Sequence, residues 1–354
     1  MMAALSIWDP PPRRIAVFRA LNLGDLLCSM PAFRALRRAF PAAHITLVGL
    51  ESARPVVARY SEYIDDLELF PGDPAFPEQP ARPAALPAFY RRMRSRAYDL
   101  VLQMHGSGAQ SNAIVQSMAT KRWAGFVPDA QSQAPGQLMA WPDDQHEVQR
   151  YLSLLTWLGL QASDSAMEFP LEPADHEAAD RIAADCGVNP DVTIFVHPGA
   201  RLPSRRWPVE RFAAVANALG SEGWRIAITG SPDESGLVRS LLSALTVPAT
   251  NLCAATTLGA LASLLSRGRL LSCNDTGISH IAAAVQLPSV VIASGSDVAR
   301  WAPQDKQRHV VLHHPVACRP CGYWECPVGH VCARAITVEQ VVERARHKLN
   351  WSAT

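Results

Sequence analysis

Three stretches of the chain combine residue types that suit chemistry on phosphates and hydroxyls. In Ser272-Cys273-Asn274-Asp275-Thr276-Gly277 an apolar run gives way to a carboxylate, a hydroxyl and a glycine at the start of a helical pattern. The first N–H groups of a helix have no internal partner and carry the positive end of its dipole, so such a turn is an anion site. Gly277 permits close backbone approach, Thr276 can donate to a phosphate oxygen, and Asp275 at the rim can accept from sugar hydroxyls. Capping of the helix by Asp275 or Thr276 explains the same residues without a ligand. His280, one turn on, fits either a ligand contact or a buried, satisfied histidine.

The second stretch runs from His197 to Pro208. It opens with His197-Pro198-Gly199-Ala200 and places Arg201, Arg205 and Arg206 just before the next helix. Arginine binds phosphate oxygens in pairs and, as a fixed cation, neutralises charge building on a diphosphate leaving group. A solvated basic loop pairing with Glu210 or Asp233 is the plainer reading. Only three lysines occur, Lys121, Lys306 and Lys348, so cationic tasks fall to arginine. In the third stretch, Gly24-Asp25 lies where the first strand pattern turns into a helix. Asp25 is a candidate general base toward a hydroxyl nucleophile, or an N-cap; the helix start favours its ionised form.

Eight cysteines occur, four of them as Cys318-x2-Cys321-x4-Cys326-x5-Cys332 with His330 inside. Thiolates this close suggest a tetrahedral structural site, zinc before iron, or a set of free or transiently oxidised thiols.

Positioning these residues requires strands that end where they begin. Apolar runs at Ile15–Phe18, Ile45–Val48, Leu67–Phe70 and Leu100–Met104 read as strands, with a helix over Leu26–Phe40. Six prolines between Pro71 and Pro87 mark an extended surface loop. A helix at His146–Leu160 is followed by a linker, and the pattern then restarts. Strands at Thr193–Val196, Arg225–Thr229, Leu270–Cys273 and Val290–Ala293 alternate with helices at Val209–Glu222, Thr257–Ser266 and Gly277–Gln286. This alternation predicts an α/β protein with parallel sheets in both halves. The expected domains are 1–165 and 166–335, the latter including the cysteine-rich segment 318–332; a C-terminal helix, 336–354, could pack on either.

Composition narrows the function classes. With 48% apolar and 18% charged residues in 354, disorder is excluded, and Lys+Arg 33 against Asp+Glu 32 gives no basic footprint for nucleic acid. The start MMAALSIWDPPPRR lacks the order of a secretory signal, and the apolar stretch Ile278–Ala293 is broken by His280, Gln286 and Pro288. A cytosolic protein is the expectation. No G-x-G-x-x-G follows a strand pattern, which disfavours a nicotinamide enzyme.

The segments RALNLGDLLCSMPAFRALRRAFP, HPGARLPSRRWPVERF and NDTGISHIAAAVQLPSVVIASGS, in this order, resemble glycosyltransferase family 9, the bacterial heptosyltransferases, over about Arg14 to Val342. The resemblance implies a GT-B fold, two Rossmann-like domains facing a cleft, with acceptor bound by the first and nucleotide-sugar donor by the second. It implies inverting transfer of a heptose from ADP-heptose to a hydroxyl of a lipopolysaccharide inner-core saccharide, lipid-linked, at the cytoplasmic face of the inner membrane. A different donor or a protein or small-molecule acceptor are alternatives, as is a non-catalytic nucleotide-sugar binding protein. By the resemblance Asp25 is the base, Asp275 holds the donor sugar, and Thr276 and Gly277 meet the diphosphate. Arg205 stands where many members have a lysine on the phosphates. His197, Gly199, Ala200, Arg201 and Arg206 belong to the same donor loop, His280 matches a recurrent histidine, and either Asp233 or Glu234 fits a ribose-binding carboxylate. Some relatives carry cysteine-bound iron; a metal on Cys318, Cys321, Cys326 and Cys332 would be structural, since chemistry in this fold generally needs none.

Overall fold

A computed structural model describes residues 7–118, 121–132 and 136–350. They form two units, Met1–Met167 and Glu168–Thr354. The first is built on six strands: β1 (Arg14–Phe18), β2 (His44–Gly49), β3 (Asp66–Leu69), β4 (Leu100–Gln103), β5 (Arg122–Val127) and β6 (Gln137–Ala140). The second is built on β7 (Thr193–His197), β8 (Arg225–Ile228), β9 (Ala249–Asn251), β10 (Leu270–Asn274), β11 (Ser289–Ile292) and β12 (His309–Leu312). All neighbours pair in parallel, in the orders β3-β2-β1-β4-β5-β6 and β12-β11-β10-β7-β8-β9. Numbered within its own unit, each sheet therefore runs 3-2-1-4-5-6, the doubly wound order in which the sequence of strands reverses once.

Parallel strands covered on both faces must be apolar throughout. Ile15, Ala16, Val17 and Phe18 are all fully buried, as are Ile194, Phe195 and Val196. The order reverses between β1 and β4 in one unit and between β7 and β10 in the other. Loops leaving those strand ends diverge to opposite faces and leave a crevice, which is where such sheets bind ligands.

Several elements differ from the sequence expectation. The single helix over Leu26–Phe40 is two, Leu23–Leu27 and Met30–Ala39. Pro31 cannot donate to Leu27, and the Ser29 hydroxyl donates to the Leu26 carbonyl instead (2.7 Å), so the chain breaks there. The proline-rich loop ends earlier than expected, because Leu86–Ser95 is helical with Pro87 in its first turn, where a missing N–H costs nothing. The linker after Leu160 runs into a helix, Pro173–Cys186, started by a capping box between Glu172 and Asp175. The C-terminal helix, Val338–Leu349, is not a separate piece. Its Val341, Val342, Ala345 and Leu349 join Trp207, Phe212 and Ala216 in the core of the second unit. Among the described residues no helix is long and apolar enough to cross a membrane.

Candidate active site

At the switch point of the first unit the chain leaves β1 through Arg19, whose side chain has no exposed surface. Its guanidinium donates to the Asp25 carbonyl through Nε (2.9 Å) and Nη2 (2.5 Å), to the Met104 carbonyl beyond β4 (2.7 Å), and to the Tyr151 hydroxyl. Glu147, also fully buried, pairs with Arg19 (3.3 Å) and Arg150 (2.9 Å) and accepts from the Tyr151 hydroxyl (2.5 Å). Burial alone would drive Arg19 toward neutrality; Tyr151, Glu147 and Asp25 outweigh it, and the arginine stays a fixed cation. Burial, with the Arg19 charge nearby, lowers His105 to about 3, so its ring is neutral and accepts the Ala20 N–H through Nδ1 (3.2 Å).

Asp25 itself is half-buried in the first turn of Leu23–Leu27. It is not the N-cap, which is Asn22. Asn22 makes no side-chain capping bond, and a carboxylate at the Asp25 position gains from the helix dipole.

In the second unit, β7 delivers His197 to the crevice. Its Nδ1 bonds Thr229 Oγ1 at the end of β8 (3.1 Å), and its Nε2 lies 3.7 Å from Glu234 Oε2. Burial pushes this imidazole below its ordinary range against the pull of Glu234. Glu234 accepts from the Ser231 N–H (2.8 Å) in a capping box and lies against Gly199, where an added Cβ would come within 1.8 Å of Oε1. A side chain at position 199 would have to displace the Glu234 carboxylate. Asp233, by contrast, is exposed. Arg206 turns back to donate to the Ala200 carbonyl (2.8 Å), and Arg201 is exposed. Arg205 donates through Nη2 to the Cys321 carbonyl (2.8 Å), and its buried Nε has no acceptor.

From the other side of the switch point, β10 ends in Asn274, fully buried and unassigned by sequence reasoning. Its Nδ2 donates to the carbonyls of Pro198 (2.7 Å) and Gly199 (3.3 Å), and its Oδ1 accepts from the Trp207 N–H (2.9 Å). One amide thus closes both ends of the arginine loop against the Asp275-Thr276-Gly277 turn. Its place as first residue of N-D-T-G was the available signal. Thr276 is the N-cap of Gly277–Ala284, yet its side chain makes no capping bond, so its hydroxyl is not spent on the helix, while its carbonyl accepts the Ser279 N–H (2.9 Å). Asp275, Thr276 and Gly277 are half-buried, whereas His280 is 5% exposed with its ring 6.2 Å from that of Trp301.

All four clustered cysteines border one small cavity of about 80 Å³, with Ser204 and Gly295. They are free thiols, and among the described residues no three His, Cys, Asp or Glu side chains converge as a metal-ligand set. Cys326 Sγ accepts from the His330 N–H (3.1 Å), and the Cys321 thiol donates to Ser204 Oγ (3.6 Å).

Two doubly wound parallel sheets, one of them with a helix-start turn and an arginine-bearing loop at its switch point, have the architecture of the GT-B class. The chain belongs to glycosyltransferase family 9 (heptosyltransferase), whose family model matches residues 87–332. It is 25% identical over 294 residues to lipopolysaccharide heptosyltransferase 3 of Escherichia coli, covering 79% of this chain and 83% of that one. Among solved structures it is similar to a family 9 glycosyltransferase of Veillonella parvula (TM-score 0.78, 22% identity, 98% of each chain). The E. coli heptosyltransferase WaaC with ADP is a further likeness (TM-score 0.64, 20% identity, 95% of this chain and 99% of that one).

Proposed function

We propose that this glycosyltransferase moves a heptose from ADP-heptose to a hydroxyl of a lipopolysaccharide inner-core saccharide, with inversion at the anomeric carbon. The observation that supports it is the second unit's switch point: a helix start whose cap hydroxyl makes no capping bond, in the unit whose first loop carries a buried arginine Nε without an acceptor among the described residues, suits a diphosphate. In this reading Thr276, Gly277 and Arg205 receive the diphosphate, Asp275 the sugar hydroxyls, and Asp25 takes the acceptor proton. Arg205 is catalytic because the leaving diphosphate gains charge as the glycosidic bond breaks. His197, Gly199, Ala200, Arg201, Arg206 and His280 shape the same site. The enzyme works in the cytoplasm on a lipid-linked acceptor at the inner membrane face. The test is transfer from ADP-heptose to a purified core acceptor, set beside a panel of other nucleotide sugars; turnover with another donor and none with ADP-heptose would overturn it.

For the ribose we assign Glu234 in preference to Asp233, since only Glu234 turns toward the His197–Gly199 loop. Losing a hydrogen bond to a charged acceptor costs about 1.5–3 kcal/mol, so Glu234→Ala is expected to weaken ADP binding by roughly ten- to a hundredfold. Asp233→Ala should bind ADP as the wild type does, and calorimetry giving the reverse ranking would exchange the two roles.

The cysteine cluster enters as a structural site. A zinc or iron ion would have to draw Cys318, Cys321, Cys326 and Cys332 together around their shared cavity. Elemental analysis of protein purified without added metal should find about one ion per chain. A metal-free sample of full activity and normal stability would remove the ion from this account.

A further inference from the structure

Arg205 sits on a single 3₁₀ turn, Pro203–Arg205. One turn has almost no stability of its own, because fixing its backbone brings too few hydrogen bonds. What holds it lies far away in sequence. Every polar group of Ser204 is taken up by the cysteine-rich loop: its N–H donates to the Trp324 carbonyl (3.0 Å), its hydroxyl to the Tyr323 carbonyl (2.5 Å), and its carbonyl accepts from His330 Nε2 (2.7 Å). A carbonyl can only accept, so Nε2 carries the ring proton. The next residue, Arg205, donates to Cys321.

The cysteine-rich loop is itself fastened to the end of β11. The Cys321 N–H donates to the Gly295 carbonyl (2.7 Å), and a Cβ on Gly295 would come within 2.7 Å of Cys321 Cβ. Arg319 donates to the carbonyls of Ala293 (2.6 Å), Ser294 (2.7 Å) and Ser296 (3.0 Å). His330 occupies a left-handed backbone conformation (φ 60°), uncommon for a residue other than glycine. Such a position kept by a residue with a ring points to use of the ring.

We infer that the cysteine-rich loop is a positioning element for the diphosphate arginine, with His330 and Ser204 as the positioning residues. It fixes the turn and, through the Cys321 carbonyl, ties Arg205 Nη2 in place. A flexible arginine would lose side-chain entropy on binding; one already held loses less. The inference rests on the reading of Arg205 as a diphosphate contact.

The test is calorimetric titration of the full chain with ADP and, separately, with adenosine. Arg205→Ala should weaken ADP binding by roughly ten- to a hundredfold, the scale of a charge-assisted bond. His330→Ala and Ser204→Ala should each weaken it by roughly two- to tenfold, the scale of one neutral hydrogen bond, and leave adenosine unchanged. His330→Gln, whose Nε2 lies the same number of bonds from the backbone, should restore affinity. The double variant Arg205→Ala/His330→Ala should bind ADP no more weakly than Arg205→Ala alone, because the histidine acts through the arginine. Additive losses, equal losses for adenosine, or wild-type ADP affinity in both His330→Ala and Ser204→Ala beside a weakened Arg205→Ala would overturn the inference. Wild-type affinity in Arg205→Ala would instead overturn the diphosphate reading on which it stands. If His330→Ala does not fold, Ser204→Ala, which removes only a hydroxyl, carries the same comparison.

Discussion

Asp25→Asn is expected to lower turnover by roughly 10²–10⁴-fold, the contribution of a general base, while ADP affinity changes little. Asparagine keeps the shape of the side chain and loses the basic oxygen. The substitution forfeits the dipole interaction of a carboxylate in a first helical turn, about 0.3–1 kcal/mol, and its attraction to Arg19, which Glu147 still pairs. Its backbone is held independently of the side chain, because Arg19 grips the Asp25 carbonyl twice. Donor affinity should survive because the donor loops belong to the other unit. Steady-state rates with ADP-heptose, paired with ADP titration of the same sample, separate the effects. Wild-type turnover in this variant would remove Asp25 as the base.

The second large effect is on stability. Glu147→Ala is expected to cost about 3–5 kcal/mol, because it leaves two buried guanidiniums without their counter-charge. Glu147 and Arg19 have no exposed side-chain surface and Arg150 has 2%. Arg150 keeps the carbonyls of Pro142 (2.9 Å) and Asp143 (2.8 Å), and Arg19 keeps those of Asp25 and Met104, but carbonyls do not neutralise charge. Glu147→Gln isolates the charge from the hydrogen bonds and should fall between Glu147→Ala and wild type. Urea denaturation followed by circular dichroism, compared among wild type, Glu147→Gln and Glu147→Ala, reads the loss. A loss below about 1 kcal/mol for Glu147→Ala would mean that water or a rearranged partner reaches the cluster.

How much of this could be read from residue order follows from how local each signal is. The turns at Gly24-Asp25, His197–Arg206 and Asp275–Gly277 were legible because glycine, carboxylate and arginine follow apolar runs directly. All three lie at strand ends of the switch points. Arg19 and Glu147 gave no such signal, and Asn274 gave only its place at the head of N-D-T-G. Asn274 acts on residues 67 to 76 positions away, and Arg19 meets Glu147 across 128 positions. Such pairs exist only once the sheet has brought distant strand ends together. The strands β5, β6, β9 and β12 went unread for another reason: they are short or carry polar and small residues, as in Ala249-Thr250-Asn251, and are fixed by pairing with neighbours. The cysteine spacing was plain, but its hydrogen-bonded grip on Ser204 was not, since that grip uses mostly backbone carbonyls.

The return of Val338–Leu349 into the core of the unit that precedes it has a consequence for protein engineering. The polypeptide passes from one sheet to the other once, so a single cut after Met167 yields two pieces, each with its whole six-stranded sheet. Among the described residues, the terminal helix of the second piece packs in that piece's own core. Chimeras spliced at that junction can therefore exchange halves between relatives through one crossover, without also transplanting a tail.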